Sequence, residues 1–234
     1  MTDNLLFIDT EASGLPKKWN APINKTRNWP FSVQISWLIY DPQGRLIKQE
    51  DHLISDNDFK IEPAAQQIHG FTPEYLKCHG EPRFKVMQLL ANDMLEYQPL
   101  LVGHFMELDY RVISADFFRS GVQNPALNLK TFCTMLATKY LIYHPQNKYL
   151  RLGDLYQMLF NAPLQHQHNA LNDATATAES FFELWKRGEI NDEFILKQQS
   201  YKKYEPPFNR FIGWVVVLLI LLLAIILFTY RGNT

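Results

Sequence analysis

The chain predicts an α/β fold: a mixed five-stranded sheet flanked by helices, followed by a C-terminal transmembrane helix. Three observations predict it. Strand-like runs come first and then alternate with helical ones. The first run, residues 5–8, stops abruptly at Asp9. Residues 211–230 form a stretch of twenty residues without a charge, flanked by Arg210 and Arg231.

Residues 5–8 are apolar, with Asp9, Glu11 and a turn at Gly14 behind them, which reads as a central strand delivering two carboxylates at its end. Residues 32–40 alternate in part, and Asp41-Pro42-Gln43-Gly44 is a hairpin turn into a third strand at 46–53. Residues 62–69 read as a short helix stopped by Gly70; Thr72 caps the next one, with Pro73 in its first turn. Residues 83–96 carry helical periodicity through Phe84, Met87, Leu90, Ala91 and Met94. Pro99 resets the chain to extended, and 100–103 is a fourth strand. Residues 108–120 are helical and closed by Gly121; 128–132 is the fifth strand; 135–140, 152–160 and 174–186 are helices. Tyr149, Leu152, Leu155, Tyr156, Leu159 and Phe160 read as core periodicity.

This order gives four segments: a compact domain over 1–187, a polar juxtamembrane linker over 188–210, a membrane span over 211–230 and a short tail over 231–234. The linker is polar, ends in Pro206-Pro207 and has helical character in 191–204. A helix of twenty residues covers about 30 Å, the hydrocarbon thickness of a bilayer. A soluble core helix keeps a polar stripe, and this segment has none. Its position excludes a cleaved leader. Lys197, Lys202, Lys203 and Arg210 before the span outweigh Arg231 after it, so the expectation is a single-pass, tail-anchored protein whose main domain faces the cytoplasm.

A formal net charge of -1 over 234 residues means that bulk charge does not attract a polyanion; any such partner is held locally. Cys78 and Cys133 have no close-spaced Cys partner, which argues against a disulfide scaffold and against a thiolate zinc site. Both are expected as reduced, partly buried thiols.

Asp9 and Glu11 point the same way from one strand, and like charges side by side are costly unless a cation sits between them. An isolated D-x-E is weak, because acidic turns are common. Two further segments strengthen it. Gly103-His104-Phe105-Met106-Glu107-Leu108-Asp109 follows a strand and brings Asp109 onto a helix start. His168-Asn169-Ala170-Leu171-Asn172-Asp173 places a histidine five residues before an aspartate heading a helix. Ala174, Ala176 and Ala178 let that helix lie close to the sheet.

With these motifs in place, residues 5–186 resemble the DnaQ-like exonucleases of the DEDDh type, a family with an RNase H-like fold that includes proofreading domains, RNase T, oligoribonuclease and the mammalian TREX exonucleases. The first motif resembles Phe7 to Leu15, the second His104 to Asp109, the third His168 to Asp173. Val33-Gln34-Ile35 is similar to the family's second strand and Ile68-His69-Gly70-Phe71-Thr72 to its I-H-G-I-T segment.

The resemblance implies a 3′-to-5′ exonuclease in which Asp9, Glu11, Asp109 and Asp173 hold two Mg²⁺ or Mn²⁺ ions, hard cations suited to oxygen ligands. One ion would generate the attacking hydroxide and the other stabilise the leaving 3′ oxygen. His168 would be the general base. Leu15 corresponds to the family's wedge beside the terminal base, and Ser13 and Gly14 line the same pocket. His104 and Phe105 fall in the substrate-binding segment, as does His69 if its segment keeps the family position; a structural use of His69 is as well supported. Glu107 competes with Asp109, but Asp109 alone matches the motif spacing. The chain departs from the family at Phe105, where asparagine is usual, and at Asn172, where glycine is common. A zinc pair at His166 and His168 lacks a third soft ligand.

The expected partner is nucleic acid with a single-stranded 3′ end, DNA ahead of RNA, together with the lipid bilayer around 211–230. The oligomeric state is left open, a homodimer included. Two rivals stand: an oligoribonuclease-like enzyme for short RNA, and a non-catalytic membrane protein that binds nucleic-acid ends. Residues 16–30 carry Lys17, Lys18, Lys25 and Arg27 with Trp19 and Trp29 and no acid. This pattern suits a nucleic-acid backbone, a solvated loop or lipid headgroups.

Overall fold

The computed structural model describes residues 3–142 and 149–200. The expected span 211–230, the tail and linker residues 201–210 lie outside the described residues. Among the described residues no helix is long and apolar enough to cross a membrane.

The sheet is mixed and five-stranded, in the order β3-β2-β1-β4-β5. Strands β1 (Leu5–Ala12), β2 (Ser32–Tyr40) and β3 (Leu46–Leu53) are antiparallel neighbours. β4 (Leu100–Gly103) and β5 (Thr131–Cys133) continue the sheet in parallel with β1. The first strand runs past the expected stop at Ile8, so Asp9 and Glu11 are paired within the sheet, opposite Ser36 and Gln34. The backbone ladder with β2 carries the strand through these charged residues to Ala12.

Alternation divides β1 between two cores. Leu6 and Ile8 join Ile35, Trp37 and Ile39 under α3 (Arg83–Tyr97) and α4 (Met106–Ser120). Leu5 and Phe7 face the other side, where Phe7 meets Phe181 and Phe182 of α7 (Ala170–Lys186) with ring centroids 5.4 and 5.6 Å apart. Asp9 and Glu11 continue this second face. Small side chains bring α7 close: Ala174 and Ala178 are fully buried.

Other elements follow the expected punctuation. α1 (Pro63–His69) ends at Gly70 with φ 79°, and Thr72 caps α2 (Pro73–His79) by accepting from the Tyr75 amide. The fifth strand is shorter and later than expected, because Pro125–Asn128 winds into a 3₁₀ turn and only Thr131–Cys133 pairs with β4. α5 (Thr134–Thr138) and α6 (Leu152–Phe160) complete that face. Leu155 and Leu159 are buried, whereas Tyr149, expected in the core, is exposed and lies beneath the Lys139 ammonium. Cys133 is buried and Cys78 exposed, both free.

Residues expected to begin the linker pack onto the domain. Ile190 and Ile195 are buried in the second core, the latter on α8 (Asp192–Lys197). Beyond it, Gln198 accepts from the Cys133 amide at 2.6 Å and donates to the Cys133 carbonyl at 3.0 Å, while Gln199 donates to the Thr131 carbonyl. Two glutamines thus satisfy the open edge of β5, which would otherwise present unpaired backbone groups.

Candidate active site

Four carboxylates converge where β1 ends. Asp9 and Glu11 come from the strand, Asp109 from the first turn of α4 and Asp173 from the first turn of α7. Both helices thus direct the positive ends of their dipoles toward the acidic group. Asp109 is fixed to the strand itself: its Oδ1 accepts from the Thr10 amide at 3.0 Å and the Thr10 hydroxyl at 2.8 Å.

Three of the four are largely buried, with exposures of 8% for Glu11, 4% for Asp109 and 9% for Asp173. Burial pushes Glu11 up to about 8, with Asp173 and Asp109 adding repulsion. Burial likewise raises Asp109 to about 7, against the opposing pull of the Thr10 donors. Asp9 is raised well above its ordinary value by burial and then by Asp109, Asp173 and Glu11; Asp173 is raised by burial. Asp173 Oδ1 is buried without a hydrogen-bond partner among the described residues. Buried carboxylates that repel one another, with one oxygen unpartnered, are what a hard divalent cation relieves. The donor set therefore fits such an ion. Glu11, His168 and Asp173 each offer a ligand atom within 4.8 Å of the others. One imidazole with two carboxylates is also a set zinc accepts.

His168 is exposed and has φ 65°, a left-handed backbone that is costly for a side-chain-bearing residue. Its amide donates to Asp173 Oδ2 at 3.0 Å, which ties the turn to the carboxylate. Asn169 caps α7 by accepting from the Asn172 amide, and Asn172, in place of the family's glycine, donates its side-chain amide to the His166 carbonyl.

Around this group the expected substrate-binding residues take different places. Leu15 is 66% exposed. Ser13 is buried, accepting from the Phe31 amide through Oγ, so it holds the following loop. A Cβ at Gly14 would meet the Glu62 carboxyl at 2.5 Å. His69 accepts from the Phe71 amide through Nδ1, and its Nε2 is buried without a hydrogen-bond partner among the described residues. Burial lowers its pKa, the Ala12 carbonyl opposing and His168 adding to the depression.

His104 is engaged internally. Its Nε2 lies 3.1 Å from the Leu150 carbonyl, which only accepts, so the ring proton sits there and Nδ1 faces the Thr134 hydroxyl at 2.9 Å. Burial holds its pKa down at about 4. Phe105 has φ 72° at the head of α4. Asparagine adopts that conformation more readily; the phenyl ring instead packs 5.6 Å from Trp19. Glu107 is turned to Arg111, 3.5 Å away.

Sequence reasoning missed Thr10 as the tether of Asp109 and Gln34 as the tether of α7. Gln34 is buried opposite Glu11, accepts from the Ala170 amide at 3.0 Å and donates to Asp51 at 2.8 Å. A polar residue within an apolar strand was the available signal.

This fold and site define a class of nucleic-acid-processing α/β domains. Residues 6–181 match the model of the RNase_T exonuclease family, and the chain belongs to that family; it is an exonuclease-family nuclease. Members of this kind use divalent metal ions. DNA polymerase III subunit epsilon of Aquifex aeolicus is 26% identical over 218 residues, covering 87% of this chain and 96% of that protein. The zinc-bound complex of E. coli exonuclease I with single-stranded DNA superposes with a TM-score of 0.66 at 18% identity, over 79% of this chain and 41% of that one. Exonuclease I of Methylocaldum szegediense gives 0.63 at 19% identity, again over 79% and 41%. The chain thus spans less than half the length of these exonuclease I structures.

Proposed function

We propose that this protein is a metal-dependent 3′-to-5′ exonuclease acting on single-stranded DNA ends and releasing nucleoside 5′-monophosphates. The observation that carries the reading is the convergence of Asp9, Glu11, Asp109 and Asp173, whose mutual repulsion and burial call for cations. The kinship with a polymerase III epsilon subunit and the likeness to exonuclease I bound to single-stranded DNA support the substrate class.

Two Mg²⁺ or Mn²⁺ ions, when bound, would supply Lewis-acid stabilisation of the phosphate and of the leaving oxygen. Asp9, Glu11, Asp109 and Asp173 are the residues to hold them. His168, exposed and beside Glu11 and Asp173, takes the proton from the attacking water. Leu15 wedges against the terminal base, and Phe105 with Trp19 presents an aromatic wall. Residues 211–230 anchor the chain in a bilayer with the nuclease domain on the cytoplasmic side, a reading supported by their length, lack of charge and basic N-terminal flank.

The test uses full-length protein in detergent with 5′-labelled single-stranded DNA, duplex DNA, long RNA and dinucleotide RNA, in Mg²⁺, Mn²⁺ or Zn²⁺, beside Asp9→Ala. Progressive shortening of labelled single-stranded DNA, absent in Asp9→Ala, supports the reading. Hydrolysis confined to dinucleotide RNA selects the oligoribonuclease-like enzyme. Binding in EDTA with no hydrolysis under any metal selects the non-catalytic binder.

A further inference from the structure

Residues 16–31 form an ordered loop. Lys18 and Asn28 exchange two hydrogen bonds of 2.9 Å, the Lys17 amide donates to the Asn28 carbonyl, and Trp29 Nε1 donates to the Pro22 carbonyl. Arg119 of α4, whose side chain is nearly buried, donates to the carbonyls of Thr26, Trp29 and Pro30 at 2.6–2.9 Å, and its guanidinium lies 3.6 Å over the Phe31 ring. A loop serving only as a solvated connection needs no such framework.

The framework displays cations. The ion pairs of the described residues engage Arg83, Lys85, Arg111, Arg119 and most other basic groups. They engage none of Lys17, Lys18, Lys25, Arg27 and Lys60, all exposed. Lys17, Arg27 and Lys60 line one open cavity of about 140 Å³ with Phe31, Phe59 and a single acid, Glu62, a net formal charge of +2. Asn28, Trp29 and Pro30 of the loop complete one side of it, and Ser13, Gly14 and Leu15, which begin two residues beyond Glu11, form the wall toward the end of β1. Two residues beyond Lys17, the Trp19 ring packs 5.6 Å from Phe105, the residue at the head of the helix that carries Asp109 in its first turn.

We propose that this cavity is a second, phosphate-binding subsite, in which Lys17, Arg27 and Lys60 grip the backbone of a strand whose 3′ end lies at the carboxylates; the proposal rests on the exonuclease reading above. The acidic end of β1 repels a polyanion, and a fixed basic cradle on the adjoining wall offsets that repulsion where the strand enters. A lipid surface would use the exposed lysines equally well, but it would have no use for a concave wall shared with the reaction site.

The test compares the full-length protein in detergent with the triple variant K17A/R27A/K60A. Binding of fluorescein-labelled dT12 is followed by anisotropy in EDTA, where no turnover occurs, and hydrolysis of dT12 and of dT2 is followed in Mn²⁺. We expect the Kd and KM for dT12 to rise about tenfold and the slope of log Kd against log salt to fall by about 2, with little change in kcat. The kcat/KM for dT2, too short to reach the cradle, should change by less than twofold. Unchanged dT12 affinity and salt slope overturn the subsite. So does a variant that binds dT12 normally but loses its preference for phosphatidylserine over phosphatidylcholine vesicles, which assigns the patch to the membrane. Wild-type protein that binds dT12 through these residues yet degrades nothing overturns the exonuclease reading and leaves the phosphate contact standing.

Discussion

Thr10 directs both its amide and its hydroxyl at the same carboxylate oxygen of Asp109, at 3.0 and 2.8 Å. The pair lies 99 residues apart in sequence and fastens the first turn of α4 to the strand that carries Asp9 and Glu11. The donors favour the charged form of Asp109 against burial, which pushes the other way.

Thr10→Val removes the hydroxyl and keeps the amide and the shape. The lost bond is worth about 1 kcal/mol, or somewhat under one unit of pKa, and its loss raises Asp109 further. A protonated Asp109 is a poorer metal ligand. The acid limb of kcat/KM should therefore move to higher pH by up to about one unit, and Mn²⁺ affinity near pH 6 should fall several-fold by titration calorimetry. An unmoved acid limb would mean that Asp109 does not control the limb.

Without metal, the acidic group costs stability at neutral pH. A carboxylate with a raised folded pKa binds more protons in the native than in the unfolded state between the two values, so stability falls as pH rises through that interval. For Glu11 the interval runs from 4.5 to about 8, for Asp109 from 3.8 to about 7. Protein in EDTA should lose on the order of a few kcal/mol between pH 4.5 and 8, read as a falling Tm, and Mn²⁺ should restore it at pH 8. Glu11→Gln should abolish activity and yet raise the metal-free Tm at pH 8. A lower Tm in that variant would contradict the repulsion.

His168→Ala tests the general-base role proposed for this imidazole apart from metal binding. General-base loss slows the chemical step by about 10²- to 10⁴-fold. Because the backbone amide of residue 168, not its ring, donates to Asp173, the carboxylate keeps its support. We expect kcat to fall on that scale while the Kd for Mn²⁺ changes less than about tenfold. A Kd rising in parallel with the fall in kcat would instead make the imidazole a ligand.

What the sequence displayed was the part of the site written locally. Asp9 and Glu11 end an apolar run, Asp109 and Asp173 sit in first helical turns, and all four stand out within a few residues of text. The tethers did not, because Thr10, Gln34 and Gln198 act on partners 99, 136 and 65 residues away. β5 was misplaced for a related reason: Pro125 starts a 3₁₀ turn that takes up Asn128, and only the parallel pairing with β4 fixes where extension begins. Tyr149 followed helical spacing into the expected core, yet it precedes α6 and its ring stays outside.

Arg119 offers the sharpest test of how the basic loop is held. Its guanidinium donates to three loop carbonyls and to Asp116 at once, a planar fork that an ammonium does not reproduce. Asp116 is fully buried and keeps the Ser32 amide and hydroxyl, with Arg83 at 3.5 Å, so the carboxylate is not stranded when Arg119 is replaced. Among the described residues, Arg119 is the one donor to the Thr26, Trp29 and Pro30 carbonyls. Arg119→Lys should cost about 2–4 kcal/mol by denaturant unfolding, within the range for breaking a buried hydrogen-bonded charge network. Local opening should exceed global loss, because the framework of the loop goes first. Lys17, Lys18, Lys25 and Arg27 make the loop its own reporter, since each is a trypsin site. Brief trypsin treatment under native conditions should leave this stretch intact in the unmutated protein and cut it at least about tenfold faster in Arg119→Lys. Equal cleavage rates would show that the loop's order does not depend on Arg119.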